Sequence, residues 1–219
     1  MRHFGSGARR LAVLTVPIMA LSLLGSGGAS ASVSGASRAS GAAGHAVPAS
    51  GVTWHRLTGI NGWHSGQSRY STGDPSWGIS GGVVYLAGSV IRSSGTSTLL
   101  AVLPSQARPS HQLFITVYTL NDTTGSLVIS PNGKMRAYNG TGNAAGFTSL
   151  AGVSFPARTL AQKKLTLLNS WQSSQAAFNS GDPSYAVSGG LVYLSGSLQQ
   201  SAGNDIFATL PKVAAEAGM

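Results

Sequence analysis

The segment ISGGVVYLAGS at residues 79–89 is repeated almost unchanged as VSGGLVYLSGS at residues 187–197, an offset of 187 − 79 = 108 residues. The same offset relates further matches outside these segments, namely Leu57 to Leu165, Asn61 to Asn169, Trp63 to Trp171, and TGDPSW at 72–77 to SGDPSY at 180–185. One deletion then brings Leu103 and Pro104 opposite Leu210 and Pro211. A register kept over so many positions indicates an internal repeat.

The repeat divides the chain into two units of unequal length. Unit one covers residues 52–164, and unit two covers residues 165–219, which is about half as long. Unit two has no counterpart of HQLFITVYTLNDTTGSLVISPNGKMRAY at 111–138, and none of FTSLAGVSFP at 147–156. We therefore predict one complete module followed by a partial copy of it.

Side-chain alternation in the repeated segment predicts a β-strand across residues 83–91. One face of this strand carries aliphatic residues and glycine in both copies: Val84, Leu86, Gly88 and Val90 in unit one, and Val192, Leu194, Gly196 and Leu198 in unit two. The opposite face is more polar: Tyr85, Ala87, Ser89 and Ile91, or Tyr193, Ser195, Ser197 and Gln199. We expect the aliphatic face to lie in the core.

Short predicted strands with frequent turn signals favour an all-β fold, an antiparallel β-sandwich of roughly 100 residues per module. Further strands are expected at 99–103, 113–120, 126–130 and 134–138. Between the last two, Asn132 and Gly133 match the preference of a type I′ hairpin turn, in which both central residues have positive φ.

Residues 1–31 have the pattern of a secretory signal peptide: three arginines, an apolar run over residues 11–24, and small residues ending in Ala-Ser-Ala. The apolar run is shorter than the about 20 residues that a membrane span needs. We predict cleavage after Ala31 and a secreted, extracellular or cell-wall-associated protein with no membrane span. Residues 32–51 are almost entirely small or polar and predict a flexible linker.

Without the three leader arginines, the mature chain has 14 − 3 = 11 basic and 5 acidic residues, a net charge of +6. The basic residues are scattered, and Lys163 and Lys164 form the only adjacent pair, so the sequence shows no nucleic-acid-binding stripe. The charge favours acidic surface polymers instead. Because the chain has no cysteine, it has neither disulfides nor a thiolate metal site, and we expect no cofactor.

The segments VVYLAGSV, LLAVLPSQARP, FITVYT, GSLVISPNGKMR and FTSLAGVSFP, in this order, resemble the C-terminal β-sandwich head modules of phage tail fibres and of exported actinobacterial proteins. The resemblance covers residues 82–155 and, in part, 190–211. It implies a sandwich with a closing strand at 149–155. For fibre heads it also implies attachment to cell-surface glycans, often as trimers.

Candidate catalytic groups are few. Asp74 and Asp182 occupy equivalent Gly-Asp-Pro-Ser segments, where aspartate is more typical of a turn than of glycosidic-bond hydrolysis. His55, His64 and His111 could act as bases, but no Gly-x-Ser-x-Gly segment surrounds a serine of the mature chain. Neither the histidines nor the acids show metal-binding spacing. We therefore expect no enzymatic activity.

The stronger candidates for ligand binding are aromatic side chains near the repeated strand and one neighbouring arginine: Trp77, Tyr185, Trp63, Trp171, Tyr70 and Arg69. Flat rings with polar edges stack on sugars as well as on apolar surfaces. Trp63 and Trp171 each follow an apolar Leu-Thr-x-[Ile/Leu]-Asn stretch, which favours a lid over the core. Trp77, beside a turn, is the better ligand candidate.

Three functions are compatible with these observations. The first is non-enzymatic binding of a cell-wall or other surface polysaccharide, or adhesion. The second is a structural or assembly role, in which the incomplete unit two pairs with another chain, a homo-oligomer included. The third, which we weigh lowest, is a hydrolase with a site that the sequence does not reveal.

Overall fold

The computed structural model describes residues 11–12, 51–200 and 202–216. The predicted signal peptide lies outside the described residues except for Leu11–Ala12, and the predicted linker lies outside them except for Gly51. No helix in the described ranges is long and apolar enough to cross a lipid bilayer.

The described residues are mainly short β-strands. They are β1 (Leu11–Ala12), β2 (His55–Arg56), β3 (Trp63–Ser65), β4 (Ser76–Ser80), β5 (Val83–Ala87), β6 (Ser89–Arg92), β7 (Leu99–Val102), β8 (Leu113–Leu120), β9 (Thr123–Ile129), β10 (Lys134–Asn139), β11 (Asn143–Ser149), β12 (Ser154–Pro156), β13 (Lys163–Lys164), β14 (Trp171–Ser173), β15 (Ser184–Ser188), β16 (Leu191–Ser195) and β17 (Leu198–Gln200). One-turn helices lie at α1 (Gln67–Tyr70), α2 (Gln175–Phe178) and α3 (Lys212–Ala215), and a 3₁₀ turn lies at Ser105–Ala107.

Unit one is a two-sheet antiparallel structure, which confirms the predicted all-β fold. One sheet has the order β12-β5-β4-β2, and the other has the order β3-β6-β11-β8-β9-β10-β7. Side chains from both sheets form one core cluster, whose fully buried members include Val84, Leu100, Leu103, Leu127, Ile129, Met135 and Leu150. In unit one the predicted aliphatic face lies in this core, since Val84, Leu86 and Val90 are 0%, 3% and 1% exposed. In unit two the prediction holds only in part, because Leu198 is buried whereas Val192 and Leu194 are partly exposed.

We predicted one continuous strand for the repeated segment, and this prediction is wrong. The segment forms two strands, which lie in different sheets. The chain leaves β5 at Gly88, which has φ +79°, and enters β6 in the other sheet. Gly196 makes the same change of direction between β16 and β17 with φ +101°. Glycine adopts positive φ with little strain, which makes it suitable for this corner. Because of the corner, Ser89 is also buried, where its hydroxyl bonds to Thr72.

Strands β7 to β10 lie within one or a few residues of the predicted ranges, but the predicted type I′ turn is wrong. Gly133 has φ +86°, whereas Asn132 is not in the positive-φ region. The Gly133 N–H donates to the Ser130 carbonyl at 2.8 Å, and the Ser130 N–H donates to the Lys134 carbonyl at 3.0 Å. Pro131, with its fixed negative φ, favours a type I turn followed by a left-handed glycine.

The expected closing strand at 149–155 is instead a strand end, a turn and a second strand. β11 ends at Ser149 in the seven-stranded sheet, and β12 begins at Ser154 in the four-stranded sheet. The Val153 N–H donates to the Leu150 carbonyl at 3.3 Å within the turn. This strand–turn–strand segment, residues 143–157, therefore joins the two sheets on the same side as the β5–β6 corner.

Unit two repeats the first part of unit one strand by strand. β13, β14, β15, β16 and β17 correspond to β2, β3, β4, β5 and β6, so we count Lys163–Lys164 with unit two from here on. Side-chain contacts repeat as well: the Trp63 indole donates to the Ser97 carbonyl at 2.8 Å, and the Trp171 indole donates to the Asn204 carbonyl at 2.9 Å. The repeat is thus structural as well as sequential.

The two units contact each other through equivalent hairpins. The Tyr85 and Tyr193 hydroxyls, 108 positions apart, lie 3.2 Å from each other. The Ser188 hydroxyl donates to the Gly81 carbonyl at 2.8 Å. Burial of Tyr193, and its hydrogen bond to Tyr85, raise the pKa of the Tyr193 phenol above its ordinary value. Tyr193 is 4% exposed because the neighbouring unit covers it.

The corner at Gly88 can be tested against Gly152, which has the same φ of +79°. Alanine at either site incurs a backbone strain of about 1–2 kcal/mol. A Cβ at residue 88 would also lie 2.5 Å from the Asp74 carbonyl carbon, whereas one at residue 152 would have no neighbour within 4 Å. We expect Gly88→Ala to lower the free energy of unfolding in urea by about 1–3 kcal/mol more than Gly152→Ala. Equal losses would contradict a close-packed corner.

Candidate functional site

The outward face of β8, β9 and β10 carries a concave surface lined by side chains of all three strands. Strand register aligns its side chains in rows, with Phe114 and Arg136 on either side of Val128, and Ser126 opposite Tyr138. These residues alternate with the core side chains of the same strands, such as Leu127 and Ala137. The face is therefore supported by a fully packed sheet.

A groove of about 450 Å³ runs over this face. It is lined by two aromatic rings, one arginine, one amide, two hydroxyls and one aliphatic side chain: Phe114, Tyr138, Arg136, Gln112, Ser126, Ser130 and Val128. We call this surface the sheet groove. Its combination of flat rings with hydrogen-bonding groups is suited to a ligand that has both apolar faces and hydroxyls.

Unit two contacts the residues at one end of the sheet groove. The Gln112 backbone N–H donates to the Asn179 carbonyl at 2.9 Å, and the Phe114 and Phe178 rings meet edge to face at a centroid distance of 6.1 Å. The Ser130 hydroxyl donates to the Gln112 side-chain oxygen at 3.4 Å. These contacts fix the orientation of Gln112 and Phe114 before any ligand binds.

The sheet groove is positively charged. Arg136 is half-buried there, and within the described residues no carboxylate lies within salt-bridge distance of it. Tyr138 is 41% exposed, and none of the five acidic side chains lines the groove. An anionic group would therefore find a cation that does not have a carboxylate partner.

Three of the aromatic residues predicted to bind a ligand are buried. Trp63, Tyr185 and Trp77 are 3%, 6% and 8% exposed. The Trp77 ring also stacks on His55 at a centroid distance of 4.5 Å, and Arg92 lies 5.4 Å from the Trp63 ring centroid. The sequence favoured Trp63 as a lid over the core, and Trp63 belongs to the core cluster. Burial leaves these rings little surface on which a sugar could stack.

The other three predicted residues are more accessible but do not form one site. The Tyr70 hydroxyl donates to the Gly146 carbonyl at 3.3 Å, and its ring meets Phe147 edge to face. Arg69 is exposed, with its guanidinium 5.4 Å from the Tyr70 ring centroid. Trp171 lies half-buried in unit two, with its indole hydrogen bond to Asn204.

The two candidate catalytic aspartates form equivalent ion pairs. Asp74 lies 3.6 Å from Arg56, and Asp182 lies 2.5 Å from Lys164, the counterpart of Arg56. The Lys164 ammonium, and then the Ser173 hydroxyl, hold the pKa of Asp182 below its ordinary value. A lowered pKa opposes action as a general acid near neutral pH. Each pair joins the first strand of its unit to the Gly-Asp-Pro-Ser segment.

Among the described residues, no group of three or more His, Asp or Glu side chains could hold a metal ion. His55 lies against Trp77, and His111 lies against Gly181 of unit two. The His64 ring nitrogen lies 3.1 Å from the Ser65 carbonyl. These three histidines are therefore in separate places, each in contact with neighbouring protein atoms.

The sequence contained part of the signal for the sheet groove. Alternation within β8, β9 and β10 separates inward from outward residues, so the sequence predicts which side chains of these strands face outward. The neighbour order of the strands and the contact with unit two are not predictable in this way, because both depend on long-range pairing.

Comparison with known proteins gives no identification: no protein-family model, no curated protein and no solved structure matches this chain.

The ion pair in unit two predicts a pKa change. Lys164→Gln removes the main cause of the lowered Asp182 pKa, so this pKa should rise toward its ordinary value. Because a lowered carboxyl pKa stabilises the fold above the unfolded-state pKa, the stabilisation should disappear as the pH falls through the folded-state pKa. An NMR titration of the Asp182 carboxyl measures the change. Lys163→Gln is the matched control and should leave the Asp182 pKa in place; equal shifts in both variants would contradict the pairing.

Proposed function

We propose that this protein is a non-enzymatic binding protein that takes an acidic carbohydrate in the sheet groove. The observation that carries the proposal is the coincidence of the Tyr138 and Phe114 rings with Arg136, which lacks a carboxylate partner among the described residues. The rings supply surfaces for the apolar faces of sugar units, and Arg136 supplies a partner for a carboxylate or phosphate substituent. Gln112, Ser126 and Ser130 supply donors and acceptors for hydroxyls.

The charge of the whole chain supports the acidic class. The predicted mature chain has a net charge of +6, which raises the local concentration of anionic polymers around it. Secretion, which we infer from the leader alone, would place the groove where surface polysaccharides occur. We thus move the predicted carbohydrate site from Trp77 and the other loop aromatics to the sheet groove.

A binding role also accounts for the disposition of the carboxylates. Glycoside hydrolysis requires two carboxyl groups on either side of the scissile bond. In the described structure Asp74 and Asp182 lie in ion pairs, and neither lines the sheet groove. We therefore propose retention of the carbohydrate without turnover.

The aromatic contribution can be tested with two tyrosines of similar exposure. Tyr138 lines the sheet groove and is 41% exposed, and Tyr118, on the same sheet face outside the groove, is 47% exposed. We expect Tyr138→Ala to weaken binding of oligogalacturonate by about tenfold, because it loses the stacked ring. Tyr118→Ala should leave the affinity unchanged. Calorimetry measures both, with circular dichroism to confirm folding.

The charge contribution has its own pair of variants. Arg136 and Lys134 lie on the same face of β10, but only Arg136 lines the groove. Arg136→Gln should weaken binding of oligogalacturonate by about tenfold and should weaken binding of its methyl ester less. Lys134→Gln should change the affinity for neither ligand. Higher salt should weaken oligogalacturonate binding. A folded protein that is retained by no member of a panel of acidic and neutral oligosaccharides would contradict the proposed function.

A further inference from the structure

The exposed surface of unit two corresponds to the interior of unit one. In unit one, the strand–turn–strand segment covers the β5–β6 corner on its core side and along its edge. β12 pairs with β5, with Phe155 opposite Val84, and β11 pairs with β6, with Thr148 opposite Val90. Leu150 and Phe155 of this segment are 0% and 3% exposed. The segment thus completes both sheets and the core at once.

Three further backbone hydrogen bonds join this segment to the corner. The Leu150 N–H donates to the Gly88 carbonyl at 2.9 Å, the Leu86 N–H donates to the Val153 carbonyl at 2.9 Å, and the Ala157 N–H donates to the Gly82 carbonyl at 2.9 Å. The corresponding groups of unit two are the Gly196 carbonyl, the Leu194 N–H and the Gly190 carbonyl. Each would need a partner if the edge were covered.

Of these groups, the Leu194 N–H points away from β15, its neighbour in the sheet. β15 pairs with β16 in the register in which β4 pairs with β5, since Tyr185 lies opposite Leu194 as Trp77 lies opposite Leu86. The Leu194 N–H is therefore directed to the free side of β16, as the Leu86 N–H is directed to β12. Among the described residues no strand pairs with that side of β16. We call β16, the corner at Gly196 and β17 the acceptor edge.

The aliphatic side chains of unit two show what is uncovered. Val83 and Leu103 are fully buried in unit one, whereas their counterparts Leu191 and Leu210 are 45% and 39% exposed. A shallow cleft occupies the place of the unit-one core, lined by Leu165, Pro183, Leu194, Ser195, Gly196, Leu198 and Phe207. The acceptor edge therefore lies beside an apolar cleft.

One described segment already pairs with part of this edge. Leu11–Ala12 forms the short antiparallel strand β1 on β17, with Ala12 opposite Leu198. This is the position at which Thr148 lies opposite Val90 in unit one. An extended backbone thus pairs at the place of β11 over two residues.

We propose that the acceptor edge binds an uncharged strand–turn–strand segment of another polypeptide, with the chemistry of residues 143–157. A polypeptide is the fitting partner because the groups without a partner among the described residues are backbone donors and acceptors in strand register, beside an apolar cleft. Natural edge strands use charged residues and proline to prevent pairing, and the edge sequence LVYLSGSLQQ contains neither. Residues 143–157 are also uncharged, so no ion is desolvated. This inference is independent of carbohydrate binding.

The probe is a synthetic peptide of residues 143–157, NAAGFTSLAGVSFPA, added to the full chain and to the form that begins at Ser32. We expect saturable binding, with NMR shift changes concentrated at residues 191–198. Binding should be tighter to the form that begins at Ser32, because that form lacks the competing Leu11–Ala12 strand.

Two modified peptides distinguish strand pairing from unspecific apolar adsorption. N-methylation at Leu150 removes the donor for the Gly196 carbonyl and should weaken binding by about tenfold or more. N-methylation at Gly152, for which no hydrogen bond is seen in unit one, is the matched control and should have little effect.

Two protein variants test the edge itself. Leu191→Lys places a charge on the edge and should weaken peptide binding by about tenfold. Val213→Lys, at a side chain that is 59% exposed and outside the edge, should not. The peptide modifications keep the test decisive if Leu191→Lys misfolds. Absence of binding to the folded chain at about 1 mM peptide, or equal binding of the two N-methylated peptides, would overturn the inference.

Discussion

The structure depends on burial of one aliphatic strand face between two sheets. Val84 and Leu86 on β5 and Val90 on β6 are almost wholly removed from water, and each such side chain contributes about 1.5–3 kcal/mol relative to full exposure. The corner at Gly88 is what allows one short segment to serve both sheets. Without cysteines, the fold has no disulfide to replace this burial, so the core and its covering strands must supply the stability.

The same segment in unit two shows what happens when the cover differs. Its backbone keeps the strand register of unit one and the corner, here at Gly196. The ion pair is also kept, between Lys164 and Asp182. Leu191, Val192 and Leu194 are nevertheless exposed or partly exposed, and Tyr193 is buried against unit one. Local sequence therefore sets the local backbone, whereas burial of the same side chains depends on the strands that are packed against them.

The two proposed surfaces arise from opposite properties of one sheet architecture. The sheet groove lies on a face whose reverse side is fully packed, so its side chains are held in place and present rings and a charge to solvent. The acceptor edge lies where packing is incomplete, so it presents backbone groups and aliphatic side chains. Polar hydroxyl-rich ligands suit the first surface, and an extended polypeptide suits the second.

The sequence alone determined the repeat, the all-β class, the positions of β7 to β10 and the inward face of the repeated segment in unit one, because two-residue periodicity and repeat register are local patterns. It could not determine that the repeated segment bends between sheets at Gly88, that the turn before Lys134 is not type I′, or that Trp77 is buried. Nor could it show that Arg136 and Tyr138 line a groove. These features depend on which distant strands become neighbours, and long-range packing decides that pairing.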